Sequence, residues 1–141
     1  MRLFNKKPKH LSPEQQRKLD IRLVDEAEQG NTKAVRNLLA DGANVDDAAL
    51  SWATMFGYTE TAQVLVEHIF APDSWRGKSR AEIEARAEAL YNKIKIFNPQ
   101  PEHVRAVAGI LRDCALDCWF QVRPPPPRIQ ISPLPAQPRP L

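Results

Sequence analysis

Apolar side chains between residues 32 and 41 fall at the spacing of an amphipathic helix. At 3.6 residues per turn, one stripe carries four of them: Ala34, Val35, Leu38 and Leu39. Gly30 precedes this segment and Gly42 follows it. Glycine suits the left-handed position that closes a helix, so the pattern predicts a short helix with a break on each side.

A second helix is predicted immediately before this one, from about Ser12 to Gln29. Ser12 is a good N-cap, Pro13 suits the first helical position, and Glu14 places a negative charge in the first turn. The two segments together predict a pair of helices joined by a tight turn at Gly30.

The same pattern of residues recurs 27 positions later in the chain. The matching positions are Leu23 and Leu50, Ala27 and Thr54, Gly30 and Gly57, Ala34 and Thr61, Val35 and Ala62, Leu38 and Leu65, and Leu39 and Val66. A fixed period in this range is typical of stacked helix pairs.

The repeated segment resembles the ankyrin repeat. LVDEAEQGNTKAVRNLLADGANVD carries a Leu that opens the inner helix, a Gly in the tight turn, an aliphatic outer helix and a Gly-Ala-Asn-Val-Asp close, and ALSWATMFGYTETAQVLVEH matches it through the outer helix. The resemblance covers about Leu19 to Phe70. It departs from the family in its period, which is usually about 33 residues, in an opening reduced to its Leu, and in Ile69 at the terminal Gly position.

A third copy is predicted further along the chain. Residues 105–117 align with residues 33–45, and the spacing from the second repeat corresponds to an insertion of residues 71–88. Roughly three repeats are needed to bury a continuous core, which favours this reading. The alternative is an unrelated two-helix cap.

The resemblance thus implies an all-α fold: a short ankyrin-like helical repeat stack with a C-terminal helical cap. The predicted division is a basic arm (1–11), a repeat domain (12–122) with repeats at about 19–46 and 47–70, an insertion (about 71–88), a cap or diverged third repeat (89–122), and a Pro-rich tail (123–141).

Charge is distributed unevenly along the chain. Residues 1–22 carry seven Lys and Arg against two Asp and Glu, residues 23–122 carry ten against fifteen, and residues 123–141 carry three against none. A nucleic-acid-binding domain usually places its positive charge on a folded face, so such a partner is not expected. The start lacks the apolar run of a signal peptide and no later stretch reaches membrane-spanning length, which predicts a soluble, cytoplasmic protein with no membrane partner.

No motif of a catalytic, cofactor or metal site is found. The chain has no Gly-rich phosphate loop, Gly-x-Ser-x-Gly or His-Glu-x-x-His, so neither an enzyme nor a cofactor is expected. Cys114 and Cys118 share a helical face, but His103 lies eleven residues before Cys114, about 16 Å along a helix. One zinc ion could not bind all three, so buried thiols are expected instead.

In ankyrin-like stacks the residues flanking the turn glycine lie at the rim of the concave surface, where partners bind. The resemblance implies that role for Glu28, Gln29, Asn31, Met55, Phe56 and Tyr58. The second triplet would form an apolar patch. Alternatively, the inserted segment covers it through Trp75 or the helix bearing Ile83 and Leu90. Trp52 is expected to face the core.

The tail RPPPPRIQISPLPAQPRPL has eight prolines in nineteen residues. Proline lacks the backbone donor that helices and inner strands need, which predicts an extended polyproline-like or disordered segment. The predicted function is non-catalytic binding of another protein through the repeat surface. Two alternatives stay open: a scaffold that presents the tail as a ligand, and a diverged helical enzyme. The sequence determines neither the partner nor the oligomeric state.

Overall fold

The computed structural model describes residues 11–125, and within this range the chain forms seven α-helices and no β-strand. The helices are α1 (Pro13–Glu28), α2 (Thr32–Ala40), α3 (Asp47–Met55), α4 (Thr59–Ile69), α5 (Pro72–Trp75), α6 (Arg80–Ile96) and α7 (Pro101–Val122). The all-α prediction is therefore confirmed. Most of the basic arm and of the Pro-rich tail lies outside the described residues.

Helix α1 begins at the residue that the sequence predicts. The Ser12 hydroxyl accepts a hydrogen bond from the Gln15 backbone N–H at 3.1 Å, and the Gln15 side chain accepts one from the Ser12 N–H at 3.0 Å. This reciprocal capping box satisfies two backbone donors that the helix itself leaves unpaired. Pro13 occupies the first helical position.

The turns after α1 and α3 have the same backbone hydrogen bonds, shifted by 27 residues. Gly30 N–H donates to Ala27 C=O and Asn31 N–H to Glu26 C=O. The equivalent bonds run from Gly57 to Thr54 and from Tyr58 to Ala53. Both are Schellman motifs, which require a left-handed residue, and the φ angles of Gly30 and Gly57 are 72° and 77°. The two turns therefore share one local backbone geometry.

Three helix pairs stack in two layers. In one layer α3 packs against α1 and α6, and in the other α4 packs against α2 and α7. The pairs share a single core of buried apolar residues, in which Leu23, Leu50 and Ile83 come from one layer and Val35, Leu65 and Val107 from the other. Each pair therefore buries its apolar face only against its neighbour.

The third pair, α6 and α7, differs from the first two in the length of its outer helix. Val107 and Leu111 are buried, as their alignment with Val35 and Leu39 predicts. Helix α2 ends at Ala40, which aligns with Arg112, but α7 continues to Val122. The physical reason is that residues 114–122 contain no glycine or proline to stop the helix.

The inserted segment packs close to α4. Helix α5 leads into a loop before α6, and Trp75 donates its indole N–H to the Ile69 carbonyl at 2.8 Å. The Trp75 ring also contacts Phe70, with 5.7 Å between centroids. Among residues 11–125, no helix combines the length and the apolar character needed to cross a membrane.

Candidate protein-interaction surface

Four aromatic rings cluster where the second and third helix pairs meet. The Trp52 ring is stacked on Phe56 at 5.7 Å between centroids and on Phe97 at 6.3 Å. Tyr58 contacts Phe56 at 6.0 Å in a tilted arrangement. Trp52 lies on α3, and Phe56 and Phe97 are the C-caps of α3 and α6. The cluster is therefore built from the ends of two neighbouring inner helices.

The outer members of this cluster remain open to solvent. The exposed fractions are 46% for Phe56, 36% for Tyr58 and 46% for Phe97, and Ile96 beside Phe97 is 77% exposed. Trp52 is half-buried beneath them. We call Phe56, Tyr58, Ile96, Phe97 and Trp52 the aromatic rim. Exposed apolar residues gathered at one place are typical of interaction sites.

The two predicted triplets have different environments. Glu28, Gln29 and Asn31 are exposed and polar. The Asn31 side chain caps α2 by accepting the Ala34 N–H, and it donates to Glu26. In the second triplet Phe56 and Tyr58 are exposed and Met55 is half-buried. Only the second triplet joins the aromatic cluster, through Phe56 and Tyr58.

The inserted segment does not cover Phe56 and Tyr58. Trp75 packs against Phe70 instead, and Ile83 and Leu90 are buried in the shared core. Trp52 is not a fully buried core residue, because its neighbours on the outside are the exposed rings of Phe56 and Phe97.

Two rings lie over the turn glycines of the preceding pair. A Cβ atom built on Gly30 would be 2.7 Å from Cδ1 of Tyr58, and one built on Gly57 would be 2.6 Å from Nε2 of His103. Tyr58 and His103 occupy the same position of the repeat when the outer helices are aligned. Nδ1 of His103 is buried and has no hydrogen-bond partner among residues 11–125.

The sequence pattern does not identify Phe97 and Ile96 as members of this surface. Asn98 has a φ of 54° and its N–H donates to the Lys95 carbonyl, so Asn98 takes the position of Gly30 and Gly57. This makes Phe97 the counterpart of Phe56. Aligning the outer helices hides the match, because the third turn is one residue longer than the first two and α7 begins three residues before the position aligned with the start of α2. An Asn after an apolar helix end is the signal that could have revealed it.

An ion-pair cluster fastens α6 to the start of α3. Asp47 accepts from Arg86 at 3.0 Å and from Lys93 at 2.9 Å. Burial alone would raise the pKa of Asp47, but the hydrogen bonds and charges of Lys93 and Arg86 together lower it below its ordinary value. Lys95, on the same last turn of α6, lies over the Tyr91 ring at 5.0 Å.

The two cysteine thiols are shielded from solvent to different degrees. Cys118 is buried and Cys114 half-buried. Burial, reinforced by Glu67, Asp117 and Asp113, raises the pKa of Cys114 to about 11, and burial also raises that of Cys118. Within residues 11–125, no group of three or more His, Cys, Asp or Glu residues is placed to hold a metal ion.

Comparison of the chain with known protein families, with curated protein sequences and with solved structures found no match.

Proposed function

We propose that the chain is a non-catalytic protein-interaction module of the ankyrin repeat type that binds a protein partner through the aromatic rim. The observation that carries this proposal is the stacking of Trp52 between Phe56 and Phe97, while both outer rings stay about half exposed. Aromatic anchors beside a well-packed support are the usual hot spots of protein interfaces.

The surroundings of the rim favour an apolar partner surface. The two lysines nearest to Ile96 along α6 are engaged within the molecule, Lys93 by Asp47 and Lys95 by the Tyr91 ring. Charged residues are depleted from the centres of protein interfaces. A partner that inserts an apolar side chain between the rings of the rim fits this arrangement best.

The ankyrin type is supported by the chain's own residues and geometry. The Schellman turns repeat at a shift of 27 residues, and the helix pairs stack in two layers. The rim occupies the turn positions of the second and third pairs, which is where the resemblance places recognition. The third pair then acts as a diverged repeat whose turn contributes Phe97.

The test is affinity capture with the intact chain, Phe56→Glu, Phe97→Glu and a matched control, Ile21→Glu, which changes an exposed apolar residue of α1. Quantitative mass spectrometry should find a protein that the intact chain and the control retain and both rim variants lose. Thermal melting must show that all four chains stay folded.

The affinity for the captured partner then tests whether Phe56 is an anchor residue. With the captured partner, Phe56→Ala should weaken binding by about 2 kcal/mol or more, as expected of a hot spot. If folded rim variants capture the same proteins with unchanged affinity, the rim is not the binding surface.

A further inference from the structure

An apolar groove of about 550 Å³ runs between α6 and α7. The residues that line it belong to these two helices, so it opens on the face of the third pair that no earlier pair covers. Its lining combines the small residues Ala87, Ala108 and Ala115 with the aromatic rings of Tyr91 and Trp119.

This face is unusual for the end of a helical stack. Terminal units normally present a polar outer side, because no further unit covers them. Here Tyr91 and Trp119 are half-buried and Leu116 is exposed. The groove therefore leaves apolar surface in water that a suitable segment would cover.

The charges at the edge of the groove favour a basic occupant. Arg80 is paired with Glu84 at 2.8 Å, and Arg112 contacts Asp113 at 3.7 Å. Glu88 also lines the groove and makes no ion pair with any of residues 11–125. The charge still to be balanced at this edge is negative.

We propose that the groove is a docking site for this chain's own Pro-rich tail, and that residues 129–134 occupy it. Helix α7 ends at Val122, close to Trp119 at one end of the groove. The five residues 124–128 can reach about 16 Å in a polyproline conformation, which is room for the chain to turn back. Along α7 the groove spans Ala108 to Trp119, about 16 Å, and six extended residues cover about 20 Å.

The chemistry of the tail matches the groove. Ile129 and Ile131 are two residues apart, so an extended chain places both on one side, where they can meet the small apolar lining. Pro133 in the same segment suits an aromatic ring of the lining, because a preformed extended segment loses little entropy on binding an aromatic surface. Arg128 supplies positive charge for Glu88.

Covalent attachment favours the chain's own tail over a free peptide as the occupant of the groove. A short tether gives an effective concentration in the mM range, so weak contacts suffice to keep the groove filled. The docked tail would serve as the polar cover of the stack, and the proposal does not depend on the aromatic rim.

The first experiment is solution NMR on the full chain at low concentration. Cross-peaks are expected between the methyl groups of Ile129 and Ile131 and the Trp119 indole. A variant with Ile129→Ser, Ile131→Ser and Leu134→Ser should lose them and shift the Trp119 indole N–H signal. The control Gln130→Ala should change neither observation.

A second variant changes a residue of the groove instead of the tail. Leu116→Glu should abolish the same cross-peaks, whereas Ile21→Glu, also at an exposed apolar site, should leave them. A chain that lacks tail-to-groove cross-peaks overturns the proposal. A sample that mixes two isotope labels shows whether the contacts join two molecules, and cross-peaks found only between chains would overturn it in favour of a second copy.

Discussion

The Tyr58 ring makes contacts both within the aromatic rim and with the turn of the first helix pair. One side of its ring contacts Phe56 in the rim, and the ring also lies over Gly30 of the preceding pair. A side chain at Gly30 would be strained by its φ of 72° and would also collide with the ring. The glycine thus serves the turn and the stacking of one pair on the next.

Gly30→Ala is therefore expected to be more destabilising than Gly77→Ala. Both glycines have positive φ, 72° and 81°, but a Cβ at Gly77 meets nothing within 4 Å. The backbone strain alone costs about 1–2 kcal/mol at either site. Overpacking against Tyr58, whose Cγ would be 2.8 Å from the new Cβ, adds roughly 1–3 kcal/mol. Urea unfolding measures both variants.

The extra cost can be assigned to the ring by a double-mutant cycle. Adding Tyr58→Ala removes the collision, so the two substitutions together should destabilise less than the sum of the single effects. If Gly30→Ala and Gly77→Ala lower the free energy of unfolding equally, the Tyr58 ring moves aside without a measurable energetic penalty.

The sequence predicts the turn glycines and two members of the rim, Phe56 and Tyr58, because each position appears twice at a constant shift. It does not predict Phe97 or Ile96. Their contact with the second pair depends on the third turn, where Asn98 replaces glycine. One additional residue in this turn and three at the start of α7 break the register. A contact between residues so far apart in the sequence is set by tertiary packing, so no sequence period reveals it.

Helices α3 and α6 are held together by charge as well as by apolar contacts. Asp47 lies in the first turn of α3, and its partners Arg86 and Lys93 lie on α6, two helical turns apart. A carboxylate at this end of a helix is also favoured by the helix dipole. This link fixes the inner helix of the third pair, and with it the position of Phe97.

Asp47→Asn is expected to lower the free energy of unfolding at pH 7. The folded chain lowers the pKa of this carboxyl, so its contribution is complete above the unfolded pKa and is lost as the pH falls through the folded one. The difference between variant and parent should therefore shrink as the pH falls from the unfolded pKa through the lower folded pKa, which urea unfolding across pH measures.

Asp73→Asn is the matched control, because Asp73 pairs with Arg76 at 3.1 Å on the exposed surface. An exposed pair contributes little, so this variant should resemble the parent at every pH. A loss for Asp47→Asn that does not change with pH would mean that packing, and not charge, explains it.

At the scale of elements, the sequence predicts most of the helices from caps and apolar spacing. Ser12 and the turn glycines set the first four, since each provides a local hydrogen bond or backbone angle that stops or starts a helix. The alignment with the first pair does not give the end of α7, because Cys114 stands where the first pair has Gly42 and residues 114–122 contain no glycine or proline to end the helix.

Across residues 11–125, three helix pairs share one core. Each pair is too thin to bury its apolar residues alone, and the middle pair contacts both neighbours. In repeat stacks the stability of a unit depends strongly on its neighbours. With so few units, loss of one end removes half of the contacts of the middle pair.

We therefore expect the three pairs to unfold as one unit. Val107→Ala removes buried side-chain volume from α7, at a cost of roughly 1–3 kcal/mol. Native-state hydrogen exchange should show the slowest amides of α1, α4 and α7 losing the same free energy of opening. The control Phe120→Ala changes an exposed residue of the same helix and should leave them unaltered.

A loss of hydrogen-exchange protection confined to the third pair would contradict this expectation. If only the amides of α6 and α7 lose protection, the third pair opens independently and the first two pairs form a stable unit without it. Because Phe97 belongs to the third pair and Phe56 to the second, that opening would split the aromatic rim. Partner binding would then have to close the third pair, and the cost of closing it would reduce the affinity.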